Sequence, residues 1–269
     1  MRMATIASGS SGNCTYIGTE NTHILIDAGV SMKRTVEGLK DLGLSLQDID
    51  AIFVTHEHSD HIQGLPMIEK KFGVGLYATE GTLRGIRAAD KSHVIDEALC
   101  RVVRAEEETQ IRDLSILPIT ICHDAREPVA YTVTQTGTER VKRAAVATDL
   151  GCFDRRIEEA LSGVDVLLLE ANHDVRMLQA GPYPYQLKQR ILSDTGHLSN
   201  DAAGELLSRL LHNRMKGILL GHLSEKNNLP ELAYETVRVE IELSDTPFHG
   251  NDFPIHVAPR ADLSGVLEF

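Results

Sequence analysis

Short apolar runs that stop on a polar residue recur along the whole chain. Met3–Ala7 and Cys14–Ile17 read as strands flanking the small, polar segment Ser8-Gly9-Ser10-Ser11-Gly12-Asn13, and His23–Gly29 as a third strand carrying Asp27 at its end. The period-three spacing of Val36, Leu39 and Leu42 behind Ser31 predicts a helix capped by that serine. Ala51-Ile52-Phe53-Val54 is the next strand, so strand and helix alternate early, which favours an α/β or layered α+β architecture. A helix over Pro66–Phe72, a strand over Val74–Ala78 and a helix over Thr79–Ala89 follow, the last with Arg84 and Arg87 on a solvated face. From Leu99 the period falls to two, giving strands Leu99–Val103, Leu114–Ile121, Val129–Gln135 and Val141–Val146.

The second half continues with a helix over Phe153–Leu161. Val164–Glu170 is the most continuously apolar run, as expected of an interior strand covered on both faces. Pro182 and Pro184 interrupt the chain before a helix over Tyr185–Leu192, whose Lys188 and Arg190 could reach a substrate but read first as surface residues. Ser199 or Asn200 caps a helix Ala202–His212, with His212 placed to favour its dipole. A strand Met215–Leu220, a helix Pro230–Leu243 and short strands Ile255–Ala258 and Val266–Phe269 close the pattern. Neither a linker-like composition nor a repeat divides it, so one domain over 1–269 is expected.

Composition narrows the class. Hydrophobic residues at 42% and charged residues at 25% are those of an ordinary globular protein, and the length suffices for a sizeable core. No apolar run spans a bilayer and the N-terminus lacks a signal-peptide pattern, so no membrane role and a cytoplasmic location are expected. The four cysteines are scattered and, in that compartment, reduced. The net charge of −12 argues against loose attraction to a polyanion, an objection that two divalent cations at one site would partly offset. With no Trp and 4% aromatics, an extended base-stacking platform is not expected.

The densest chemistry is Thr55-His56-Glu57-His58-Ser59-Asp60-His61, directly after an apolar strand. Imidazole and carboxylate hold borderline divalent metals, and His56 and His58, two apart, can face one point while Asp60 and His61 face another. Further polar residues end other apolar runs: Asp27, His123, Asp149, Glu170 and His222. Sites collect where strands end, and two metal centres need about six or seven such side chains, one of them able to bridge. The Ser8–Asn13 segment, rich in Gly and hydroxyls, offers backbone N–H groups to a phosphate or is a plain hairpin turn.

His56-x-His58-x-Asp60-His61, followed in order by His123, Asp149 and His222, resembles the metallo-β-lactamase superfamily over essentially the whole chain. The resemblance implies an α+β fold, a four-layer αββα sandwich of two mixed sheets packed face to face with helices outside. It implies a first metal on His56, His58 and His123, a second on Asp60, His61 and His222, and Asp149 as bridge. The ions would be zinc or manganese, or else iron. Ser8–Asn13, Glu170-Ala-Asn-His173, Gly196-His197-Leu-Ser-Asn200 and His222-Leu-Ser224-Glu-x-Asn-Asn228 are similar to the YycJ/WalJ branch, described as 5′-to-3′ DNA exonucleases.

That branch implies DNA rather than RNA as substrate, with water activated by the two metals attacking phosphorus. His197, Glu170 and Asp60 would take catalytic parts, Glu170 orienting His197 or serving only as a structural acid. Ser8, Ser10, Ser11, Asn13, His197, Ser224 and Asn228 would meet the substrate, and His173 is a weaker candidate. A glyoxalase-II-like thioester hydrolase on the same site is the rival, and the acidic net charge favours it.

Overall fold

The structure, a computed structural model, describes residues 1–91 and 93–269. Its two mixed sheets of seven strands each pack face to face. The first holds β1 (Arg2–Ala7), β2 (Cys14–Gly18), β3 (His23–Ile26), β4 (Ala51–Phe53), β5 (Gly75–Ala78) and β6 (Cys100–Val102) in chain order. The second holds β7 (Thr109–Ile111), β8 (Leu114–Thr120), β9 (Val129–Gln135), β10 (Lys142–Ala147), β11 (Val166–Glu170), β12 (Gly217–Gly221) and β13 (Ile255–Val257). The final strand, β14 (Leu267–Glu268), crosses back to pair with β1. In each sheet three neighbouring pairs are parallel, β3 to β6 and β10 to β13, and the rest are antiparallel.

Three apolar clusters account for the layers. The inner one joins Met3, Ile17, Ile26 and Phe53 of the first sheet to Tyr131, Val133, Leu168 and Leu219 of the second. The outer face of the first sheet is covered by α1 (Met32–Asp41), α3 (Leu65–Phe72) and α4 (Glu80–Ala89). That of the second is covered by α5 (Arg155–Leu161), α8 (Asn200–Leu210) and α9 (Pro230–Leu243). Between them in sequence lie α2 (Ser59–Ile62), α6 (Val175–Ala180) and α7 (Tyr185–Ile191). β11 is buried along all five residues, as an interior strand must be. No helix among the described residues is long and apolar enough to cross a membrane.

Local chemistry sets most boundaries. Ser31, Thr79, Asp154 and Ser199 each accept a backbone N–H in the first turn of α1, α4, α5 and α8, satisfying donors that have no partner within the helix. Several expectations need correction. Val36 is exposed, because α1 buries Thr35, Gly38 and Leu39, and Gly38 lets the helix lie against Ile6. His212 lies beyond the end of α8, where its Nε2 is 2.9 Å from Val164 O, tying a loop rather than meeting a helix dipole. Half-buried His23, at the start of β3, hydrogen-bonds Tyr16 Oη at 2.8 Å. β7 and α6 escaped the pattern, being three and six residues long.

Candidate active site

Every polar strand-end residue singled out above arrives at one edge of the two sheets. Asp27 follows β3, His56 and His58 follow β4, His123 follows β8, Asp149 follows β10, Glu170 ends β11 and His222 follows β12. Asp27, Asp149 and His222 have φ of 62°, 60° and 55°, a left-handed conformation that costs a non-glycine residue of order 1 kcal/mol or more. The turn it makes swings each side chain out of the strand's pleat and toward the neighbouring strand end. His58 precedes α2, and Asp60 and His61 fall within that single turn of helix.

The result is a nest of imidazoles and carboxylates. His58 Nδ1 is 3.3 Å from His123 Nε2, and the rings of His56 and His61 have centroids 4.1 Å apart. Asp60 Oδ2 lies 3.5 Å from both His61 Nε2 and His222 Nε2. Asp149 stands between the two sets, with Oδ2 3.2 Å from His61 Nε2 and Oδ1 3.7 Å from His123 Nε2. Ligand-type atoms fall into overlapping groups: His56, His58, His123; His56, His61, Asp149; and Asp60, His61, His222. A fourth group joins Asp149 to Glu170, His197 and His222.

These residues fit divalent metals on two grounds. Among the described residues, His56 Nε2, His222 Nε2 and Asp149 Oδ2 are buried without any hydrogen-bond partner, an arrangement that costs free energy unless a cation takes the lone pairs. The opposite ring nitrogens are held by the protein. His61 Nδ1 is 2.7 Å from Asp27 Oδ2, His123 Nδ1 3.1 Å from Gly196 O, His222 Nδ1 2.7 Å from Glu170 Oε1, and His56 Nδ1 3.1 Å from Thr55 Oγ1. A proton fixed on Nδ1 leaves the lone pair on Nε2, pointing inward. Burial and the neighbouring His61 hold His56 well below the usual imidazole range, whereas Asp27 and Asp149 overcome burial and push His61 up to about 10. Asp149 is held well below the carboxylate range by His222 and His61 despite its burial.

Glu170 is fully buried and accepts four contacts. Its Oε1 takes His197 Nδ1 at 2.8 Å and His222 Nδ1 at 2.7 Å, and its Oε2 takes the Leu150 and Leu198 N–H groups at 2.9 and 3.3 Å. His197, 17% exposed, lines the cleft together with His58, Asp60, Asp149 and His222. Ser10 and Ser224 line it as well.

Other expected substrate contacts sit elsewhere. Ser8 is buried, its Oγ accepting His222 N at 2.9 Å, so it shapes the His222 turn. Asn13 faces Asp60 and His61, its Nδ2 3.0 Å from His61 Nε2, while its Oδ1 accepts Gly9 N. Asn13 N and Gly12 N donate to Asp60 O and Gly9 O, so these two N–H groups of the Ser8–Asn13 loop are engaged within the protein. Ser11 is exposed, outside the cleft lining, and its carbonyl accepts Gln63 Nε2. Asn228 is buried, its amide spent on Ala171 O, Asn172 O and Asn200, and it clamps the chain behind β11. His173 joins none of the metal groups; it is buried with both ring nitrogens unpartnered, and burial pushes it down to about 4.

Two further residues contribute to the site. Asp27 supports His61 and, through both oxygens, Thr55, with Thr55 Oγ1 at 2.9 Å. Its place at a strand end was the available signal. Arg190, read as a surface residue, lines the cleft and pairs with Asp124.

Paired sheets with a nest of buried imidazoles and carboxylates at one edge define a class, the metal-dependent hydrolases built on the metallo-β-lactamase fold. Solved structures share that fold. Zn(2+)-bound PqqB from Methylobacterium extorquens superposes with a TM-score of 0.73 at 14% identity over the whole of both chains. The metallo-beta-lactamase fold protein YhfI from Bacillus subtilis does so with 0.69 at 13%, over 98% of this chain and 99% of that one. The family described as Beta-lactamase superfamily domain matches residues 22–218. Exodeoxyribonuclease WalJ of Streptococcus pneumoniae is 38% identical over 93% of this chain and 91% of its own length. Exodeoxyribonuclease YycJ of Bacillus anthracis is 34% identical over 90% and 89%. The chain belongs to the metallo-β-lactamase superfamily, in the family of these WalJ and YycJ proteins.

Proposed function

We propose that this protein is a metal-dependent exodeoxyribonuclease that works on DNA from a 5′ end, with all of 1–269 forming one catalytic domain. Glu170 carries the reading: one buried carboxylate ties the metal-type histidine His222 to His197, a histidine of the cleft. Cleaving a phosphodiester expels an alkoxide, which needs a proton as it leaves, whereas a thiolate does not. A cleft histidine oriented by a buried acid is therefore the feature that favours phosphodiester over thioester. The names of the two relatives above support the same substrate class.

His56, His58 and His123 would hold one divalent ion and Asp60, His61 and His222 a second, with Asp149 between them. Zinc or manganese suits this donor set, and iron is compatible with it. Such ions supply Lewis-acid polarisation of phosphoryl oxygen and acidify water near neutral pH. The remaining work belongs to the chain. Glu170 accepts the Nδ1–H of His197 and so leaves Nε2 for the cleft, to hold a nonbridging oxygen or to deliver a proton to the leaving oxygen. Asp27 holds the ring of His61 in the same way. Ser10 and Ser224, on the cleft wall, would meet the terminal phosphate.

The test is a comparison of substrates. Protein loaded with manganese or zinc is given 5′-phosphorylated duplex DNA, a thioester and a lactone. Release of mononucleotides from the 5′ end is expected; turnover of the thioester with DNA untouched would refute the nuclease reading.

A further inference from the structure

The cleft has a second wall that the hydrolytic machinery does not use. It is made by the segment between α6 and α7 and by α7 itself, which bring Tyr183, Leu187 and Arg190 into the same lining as His58, Asp60 and His197. Tyr183 lies between Pro182 and Pro184, whose rings fix φ and restrict the residue before each proline, so the phenol is held at small entropic cost. The ammonium of Lys226 lies 5.9 Å from the centre of its ring. This wall is firmly seated. Lys188 Nζ donates to Gln179 O at 2.7 Å, and His197 N donates to Ile191 O at 3.1 Å. A Cβ at Gly196 would stand 2.1 Å from Ile191 O and 2.4 Å from Arg190 O, so the end of α7 rests directly on the loop that carries His197.

Among the described residues lining the cleft, Arg190 alone carries a permanent positive charge. Its Nε donates to Asp124 Oδ2, while Asp124 Oδ1 lies 3.3 Å from His123 Nε2. Asp124 thus ties the guanidinium to the edge of the histidine nest. The Arg190 side chain is half exposed, and only its Nε is engaged in hydrogen bonding, which leaves the terminal N–H groups for a planar, two-point contact with phosphate oxygens. In a chain of net charge −12, a lone cation in this position has local weight.

We propose that this wall is a nucleotide subsite, in which Tyr183 stacks on an unpaired base of the bound strand and Arg190 takes the phosphate next to it. The inference rests on the nuclease reading and adds to it that the substrate strand enters unpaired at this position, since a ring stacks only on a base whose face is open. Stacking of this kind tolerates any base, so sequence preference is weak.

The test is a cycle between the protein and the substrate. Tyr183→Ala and an abasic nucleotide at each of the first three positions of a 5′-phosphorylated single strand are combined, and KM and kcat are measured on fully metal-loaded protein. Tyr183→Ala is expected to raise KM about tenfold with kcat within twofold, and Tyr183→Phe to behave as wild type. At one position the abasic substrate should cost the wild type the same factor and cost Tyr183→Ala nothing more. Arg190→Ala should raise KM about tenfold and flatten its salt dependence by about one phosphate contact, with Arg190→Lys recovering only part. Losses that multiply at every position, or an unchanged KM in Tyr183→Ala, overturn the subsite while the nuclease reading stands. A wild-type protein inert on DNA overturns both.

Discussion

Asp27 and Glu170 are buried acids at strand ends of the two different sheets, and they do different work. Asp27 follows β3, which has one parallel and one antiparallel neighbour, and Glu170 ends β11, which has two parallel ones. Each accepts the Nδ1–H of a metal-type histidine, His61 at 2.7 Å and His222 at 2.7 Å. Asp27 turns its remaining capacity inward, to Thr55. Glu170 turns it outward, to His197 on the cleft. One half of the molecule thus builds only a clamp. The other couples the clamp to a group that meets substrate, so damage to the two acids should separate in measurable ways.

Glu170→Ala has the largest expected effect, because it strips both His222 and His197 of their acceptor. We expect kcat/KM to fall by about 10³ or more, with metal affinity down about 10–100-fold, read by steady-state rates and by metal content after dialysis. His197→Ala comes next: the rate should fall about 10²–10⁴-fold with metal content intact, and a variant with wild-type rate removes His197 from the chemistry. Asp27→Asn should weaken metal binding about 10–100-fold yet recover most of its rate at saturating metal. If excess metal fails to rescue it, the two acids are not the clamp and the coupled clamp described above.

Two smaller effects concern stability. Asn228→Ala removes an amide that holds the Ala171 and Asn172 carbonyls, and should cost about 1–3 kcal/mol in urea unfolding with substrate KM unchanged. A raised KM would return Asn228 to the substrate. Glu69 on α3 tests the first sheet's cover: both carboxylate oxygens are buried and unpartnered among the described residues, and burial, with Asp96 nearby, pushes it up to about 7. Its folded value lies above the unfolded one near 4.5, so its contribution is full below pH 4.5 and is lost as pH rises to about 7. Glu69→Gln should therefore be more stable than wild type by about 1–2 kcal/mol at pH 7.5, after discounting for partial solvation, with the gap closing toward pH 4.5. Equal stability at both pH values would show that the carboxylate is solvated.

Most elements were legible because their causes are local. Ser31 and Thr79 cap helices through hydroxyls three residues from the donors they satisfy, and Pro230 opens α9 where its missing N–H costs nothing. The continuous apolar run of β11 announced a strand with no solvent face. Val36 misled because spacing marks a face, while contact with Ile6 through Gly38 chose which face is buried. Ser8 and Asn228 belong to the motifs quoted above, and in the fold their side chains hold backbone, the His222 N–H and the Ala171 carbonyl.

By itself, the sequence determined the histidine loop, the run of strands that end on polar residues, and through them the superfamily, because those signals lie within a few residues of one another. Tertiary structure decided which nitrogen of each histidine faces inward, that Asp27 stands behind His61 across 34 positions, and that Glu170 joins His197 to His222 across 27 and 52. It also brought Arg190 and Tyr183 to the cleft. A hydrogen bond between strand ends depends on which strands are neighbours and how far each turn swings its side chain. Neither is written in the spacing along a single chain.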